Sequence, residues 1–131
     1  MVSSVLLIDD NKTDNFINKR IIELAGFAQN IFVKQSAQEA LTFLKENAED
    51  HSDLPKIIFL DINMPVMNGF EFIQAFENCP AEVKNHCKIV VLSSSNSKMD
   101  VDQMSNSPYV IKYLIKPLSK DSLASLEESI Q

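Results

Sequence analysis

Glycine is scarce in this chain: Gly26 and Gly69 are the only two in 131 residues. A loop that cradles a nucleotide phosphate needs several glycines close together, so binding of that type is excluded. Cysteine is equally scarce. Cys79 and Cys87 stand in Cys-Pro and His-Cys contexts without CxxC spacing, and with His86 they match no zinc-ligand pattern. No apolar run approaches the ~20 residues that span a bilayer. Basic residues are outnumbered, 12 Lys and Arg against 18 Asp and Glu, for a net charge of -6. Phosphate backbones need stripes of Lys and Arg, so direct nucleic-acid binding is not expected. The opening Met-Val-Ser-Ser leads into an apolar run without a signal-peptide pattern. The expectation is one cytoplasmic domain over residues 1–131, large enough for a real core. There is no repeat, low-complexity tract or interdomain linker.

What is present is an alternation of short apolar runs and amphipathic segments. Val5–Ile8, Ile31–Val33, Ile57–Leu60, Lys88–Leu92 and Val110–Ile115 read as strands. Asp14 to Ala25 reads as a helix with Ile17, Ile21 and Leu24 facing in and Gly26 as its left-handed C-cap. Ser36 and Glu39 form a capping box for a helix whose inner stripe is Ala40, Leu41 and Leu44. Asn68-Gly69 turns the chain into a helix carrying Phe70, Ile73 and Phe76 or Ala75. Ser97 and Asp100 cap a short fourth helix with Val101 and Met104, and Ser119 caps a fifth with Leu123, Leu126 and Ile130. The segment from Cys79 to Cys87 reads as a polar loop, and His51 and His86 as surface residues. Strands alternating with helices imply an α/β fold, a doubly wound parallel sheet of five strands with five helices.

The strand ends carry the chemistry. Asp9 and Asp10 stop the first strand, and Asp61 stops the third. The fourth ends at Ser93, followed by Ser94, and the fifth at Lys116, followed by Pro117. Open parallel sheets bind ligands beyond the carboxyl ends of their strands. Three carboxylates gathered there need a hard cation such as Mg2+, or a proton, to coexist. A carboxylate can act as a nucleophile and form an acyl phosphate. Lys116 and Ser93 would supply a cation and a hydroxyl to phosphoryl oxygens. One such residue alone reads as a turn former or helix cap. Their joint occurrence at four strand ends points to phosphoryl chemistry.

With these residues placed, the chain resembles the receiver domain of two-component response regulators, the family of the chemotaxis regulator. The resemblance rests on Val5-Leu-Leu-Ile-Asp-Asp10, Leu60-Asp-Ile-Asn-Met-Pro65, Met67-Asn-Gly69, Val90-Val-Leu-Ser93 and Tyr113-Leu-Ile-Lys-Pro117. It spans nearly the whole chain. It implies a flavodoxin-like sheet of strand order 2-1-3-4-5, of which the chemotaxis regulator is one example.

The resemblance also implies roles. Asp61 would be the phosphoacceptor. Asp10 would bind Mg2+ directly, Asp9 mostly through water, and the Asn63 backbone carbonyl would complete the protein ligands. Lys116 and Ser93 would contact the phosphoryl group, and Tyr113 would follow Ser93 as a switch. Met64 and Pro65 shape the turn beyond the acceptor, Gly69 permits a close turn, and Pro117 follows a cis peptide bond. Asn63 and Ser94 occupy positions that tune hydrolysis. The donor would be a histidine kinase or a histidine phosphotransfer protein. The output would be a changed surface around helix 4, strand 5 and helix 5, read by an unknown downstream protein. The chain would be a monomer or a phosphorylation-dependent dimer. It would be no enzyme beyond its own phosphorylation and dephosphorylation.

Two departures concern the output face: Asn106-Ser-Pro-Tyr109 replaces the glycine that often precedes the fifth strand, and the fourth helix is short. The alternatives are a receiver-fold scaffold that works without phosphorylation and a phosphatase of the dehalogenase type. The latter needs a general acid two residues after the nucleophile, where Asn63 stands, and an amide cannot serve.

Overall fold

The computed structural model describes residues 1–50, 53–94 and 98–130, apart from the side chains of Lys98 and Ser105. His51 and the expected cap Ser97 lie outside the described residues. The elements run β1 (Val2–Ile8), α1 (Lys12–Ala25), β2 (Ala28–Lys34), α2 (Ala37–Glu46), β3 (Ile57–Leu60), α3 (Gly69–Phe76), α4 (Ala81–His86), β4 (Lys88–Ser93), α5 (Lys98–Ser105), β5 (Val110–Ile115) and α6 (Lys120–Ser129). The five strands form one parallel sheet in the order β2-β1-β3-β4-β5, as expected.

Side-chain alternation sorts the central strands onto two faces. Leu6, Ile8, Ile58, Leu60, Ile89 and Val91 pack beneath α2, α3, α4 and α5. Val5, Leu7, Ile57, Phe59, Val90 and Leu92 pack against Ile22 of α1 and Leu123 and Leu126 of α6. All four residues of β3 are buried, as a strand covered on both faces requires. Local signals set the helix ends. Ser36, Asn68 and Ser119 accept backbone N–H bonds at three N-termini, and Gly26 closes α1 with φ 63°. Among the described residues no helix is long and apolar enough to cross a membrane.

Three expectations are corrected. There are six helices among the described residues, not five, because α4 occupies the expected loop between Cys79 and Cys87. Its only buried residue is Val83, so it carries no apolar period. It forms after Pro80, with Glu82 in its first turn and Lys84 and His86 in its last, which suits the helix dipole. The fourth and fifth expected helices are therefore α5 and α6. The inner face of α1 is Asn15, Asn18 and Ile22; Ile17 and Leu24 are 41% and 58% exposed. The start of α1 meets backbone groups at the sheet edge, which need polar partners. Asn15 Nδ2 donates to the Asp9 carbonyl, and Asn18 Oδ1 accepts from the Leu118 N–H. In α3, Phe72 is fully buried with Ile73 and Phe76, while Phe70 is only partly covered.

Gly69 brings α3 against the strand end that carries Asp61. A Cβ at this position would lie 2.8 Å from Ile62 Cα and 2.9 Å from the Asp61 carbonyl oxygen, both backbone atoms. The Gly69 N–H donates to the Ile62 carbonyl at 2.8 Å. The Gly69→Ala variant is expected to lose about 1–3 kcal/mol of stability through overpacking. Urea unfolding of both proteins measures this, and an unchanged midpoint would mean that the turn yields freely.

Candidate functional site

Strand register builds the site. Ile8 pairs with Leu60 across β1 and β3, and the Asp61 N–H donates to the Ile8 carbonyl at 3.0 Å. Asp9 and Asp61 therefore leave their strands side by side. One carboxylate oxygen from each of Asp9, Asp10 and Asp61 lies within 4.8 Å of the others. Asp9 and Asp61 are buried, and Asp10 is exposed. Ser93 pairs with Ile115 across β4 and β5, and the Lys116 N–H donates to the Ser93 carbonyl at 2.8 Å. That contact delivers Lys116 to the same edge.

The Lys116 ammonium lies among three carboxylates. Nζ donates to Asp9 Oδ2 at 2.6 Å and to Asp14 Oδ2 at 3.0 Å, and it stands 3.4 Å from Asp61 Oδ1. Burial works against its charge. The hydrogen bonds to Asp9 and Asp14 and the charges of Asp61 and Asp9 outweigh burial and hold its pKa above the ordinary lysine range. Asp61 moves the other way from most paired carboxylates. Burial, then the negative charge of Asp9, raises its pKa from 3.8 to about 6, against the pull of Lys116 and a backbone hydrogen bond from Asn63. The donors are all hard oxygens, one carboxylate is open to solvent, and the other two are buried side by side. This set fits a hard divalent cation held by Asp9, Asp10 and Asp61.

Ser93 is fully buried at the end of β4. Lys116-Pro117 is a cis peptide. Pro65 is exposed, and its carbonyl accepts from the Met67 N–H at 2.8 Å around Val66, whose φ is 69°. This is the rarer, strained form of γ-turn, and Val66 is 87% exposed in it. Ser94 is exposed beside Ser93, and Asn63 is exposed beyond Asp61. Tyr113 is half-buried on β5, opposite Val91 rather than among the acids. Cys79 and Cys87 are buried free thiols, and burial raises both pKa values, that of Cys87 to about 12. His86 is partly buried with Nε2 3.1 Å from the Leu54 carbonyl oxygen, a structural contact.

Asp14 and Asn15 were not among the expected site residues. Asn11, Lys12, Thr13 and Asp14 resemble a capping box, which would tie the Asp14 carboxylate to the Asn11 N–H. Asp9 Oδ1 takes that N–H at 3.0 Å instead, and the Asp14 carboxylate turns to Lys116. Asn15 is buried behind Asp9 and its Oδ1 has no hydrogen-bond partner.

A model of the response regulator receiver domain matches residues 5–127. The chain belongs to that family. It is 30% identical over 127 residues to the probable methanogenesis regulatory protein FilR2 of Methanothrix harundinacea, covering 97% of this chain and 80% of the relative. It is 26% identical to response regulator Rcp1 of Synechocystis over 97% of this chain and 85% of that one. Its fold superposes on a two-component response regulator from Cytophaga hutchinsonii with a TM-score of 0.91, at 35% identity, covering 98% and 96% of the two chains. Receiver domains are signalling phosphoacceptors rather than enzymes in the ordinary sense, and the acidic cluster here is of that kind.

The raised Asp61 pKa has a thermodynamic consequence. With 3.8 unfolded and about 6 folded, the native state holds the extra proton between those values. Stability from this group is full below the lower value and is lost as pH rises through the upper. In metal-free solution, Asp61→Asn escapes that loss and is expected to gain about 2–3 kcal/mol over wild type near pH ~7.5, with little gain near pH ~4. Urea unfolding in a chelator at both pH values is the measurement; equal stabilities at the higher pH would show that the acidic cluster carries no strain.

Proposed function

We propose that this receiver domain takes a phosphoryl group onto Asp61 from the phosphohistidine of a histidine kinase or histidine phosphotransfer protein. The observation that carries this reading is the position of the Asp61 carboxylate. It lies within reach of Asp9 and Asp10 on one side and 3.4 Å from the Lys116 ammonium on the other. An Asp61 oxygen attacks phosphorus. The bond from phosphorus to the donor nitrogen breaks, and its electron pair stays with the imidazole. The product is an acyl phosphate. Lys116 neutralises one phosphoryl oxygen, and the Ser93 hydroxyl donates to another. Asp10, Asp61 and the Asn63 backbone carbonyl would hold Mg2+ directly and Asp9 mostly through water, and the ion would screen the repulsion between carboxylate and phosphoryl group. Water later releases phosphate, at a rate that Asn63 and Ser94 tune.

The output follows from the same contacts. Ser93 and Lys116 engage the phosphoryl group only in the modified state, so modification favours one of two pre-existing conformations. Tyr113 and the surface of α5, β5 and α6 then present a different face to a downstream protein or to a second copy. Pro65, Gly69 and Pro117 hold the loops around the acceptor. The setting proposed is the cytoplasm.

Intact mass after incubation with acetyl phosphate and Mg2+ tests this directly. Wild type is expected to gain about 80 Da, one phosphoryl group, and Asp61→Asn to gain nothing. The gain should vanish in a chelator. A folded wild type that gains no mass would leave the phosphorylation-independent scaffold as the reading.

A further inference from the structure

An ammonium has three N–H donors. In this structure the Lys116 ammonium faces three carboxylates: Asp9 at 2.6 Å, Asp14 at 3.0 Å and Asp61 at 3.4 Å. Two donors are committed to Asp9 and Asp14 and the third faces Asp61, so an ammonium drawn towards a phosphoryl oxygen on Asp61 must loosen its hold on one of the other two. Asp9 is poorly suited to release. Its side chain is 6% exposed, and its other oxygen accepts from the Asn11 N–H. Asp14 is suited to it. Its side chain is 36% exposed, so water can replace Lys116 there. It stands in the first turn of α1, and the cap that would otherwise hold its carboxylate is occupied by Asp9.

We propose that Asp14 is a positioning residue for phosphoryl capture, its carboxylate competing with the incoming group for the Lys116 ammonium. This rests on Asp61 as the phosphoacceptor. Asp14 touches neither the acceptor nor the phosphoryl group; it acts through Lys116, as a brake on the modified state. A partly exposed ion pair holds its partner by a factor of about two to five. Removing it should raise affinity for a phosphoryl mimic by about that factor.

The test uses the full chain, with fluoroberyllate in Mg2+ as the mimic and calorimetric titration as the readout. Asp14→Asn is expected to bind the mimic about two to five times more tightly than wild type, and Asp14→Glu to stay near wild type. A second readout needs neither metal nor mimic. Proton exchange of the Lys116 ammonium, followed by nitrogen-15 NMR, should quicken in Asp14→Asn and not in Asp14→Glu. An equal or weaker affinity in Asp14→Asn, or an unchanged ammonium signal, would overturn the proposal. Failure of the underlying reading looks different: wild type itself would neither gain a phosphoryl mass from acetyl phosphate nor bind fluoroberyllate.

Discussion

One ammonium holds this domain's acidic edge together. Asp9, Asp10, Asp14 and Asp61 gather at the carboxyl ends of β1 and β3 and the start of α1, and Lys116 is the cation among them. Two like charges at ~4 Å repel by about 4 kcal/mol even at an effective dielectric near 20. Without Lys116 the sheet edge would have to splay or take up protons. The register of β4 and β5 therefore matters beyond its own hydrogen bonds. It sets where Lys116 leaves the sheet, through the bond from its N–H to the Ser93 carbonyl. One lysine cannot balance four acids, and the deficit makes the edge ready for further positive charge.

The same edge explains why α1 turns a polar face inward. Parallel strands end with carbonyl and N–H groups that the ladder no longer pairs, and buried groups of that kind need partners. Asn15 serves the Asp9 carbonyl, Asn18 the Leu118 N–H, and Asn11 caps the helix. Only after this polar start does α1 bury an apolar residue, Ile22. Positioning Asp9 and Lys116 takes precedence over packing in the first half of the helix.

This precedence also marks where the sequence is legible. The strands were readable because Val5–Ile8 and Ile57–Leu60 are short apolar runs, each stopped by an acid. Asp61 and Lys116 were readable because strand ends in a parallel sheet converge whatever lies between them. The α1 face was not readable. Periodicity favours Ile17, Ile21 and Leu24, whereas the buried side is decided by backbone groups on other elements. Helix α4 hid because six residues with one buried apolar side chain leave no period to detect. Asp14 hid for a third reason: its place in the first turn already had an ordinary explanation, and only the competition of Asp9 for the Asn11 N–H frees it.

The geometry also links the acid cluster to the surface that the proposed switch uses. Along β4, Val91 and Ser93 lie two residues apart and so share one face of the sheet. Tyr113 stands directly opposite Val91 on β5, on that same face. Both Val91 and Tyr113 belong to the cluster beneath α3, α4 and α5, and Met104 joins α5 to it. A shift at Ser93 is therefore felt first by the layer containing Tyr113 and α5, not by α1 and α6 on the opposite face. Close-packed interiors transmit such displacements poorly through gradual deformation and well through discrete repacking. A half-buried ring has room for a second arrangement that a fully buried one lacks. The sheet thus assigns the two jobs to different neighbours. Residues at the strand ends hold charge, and under the proposed switch the partly covered side chains of β5 are the ones that would respond to it.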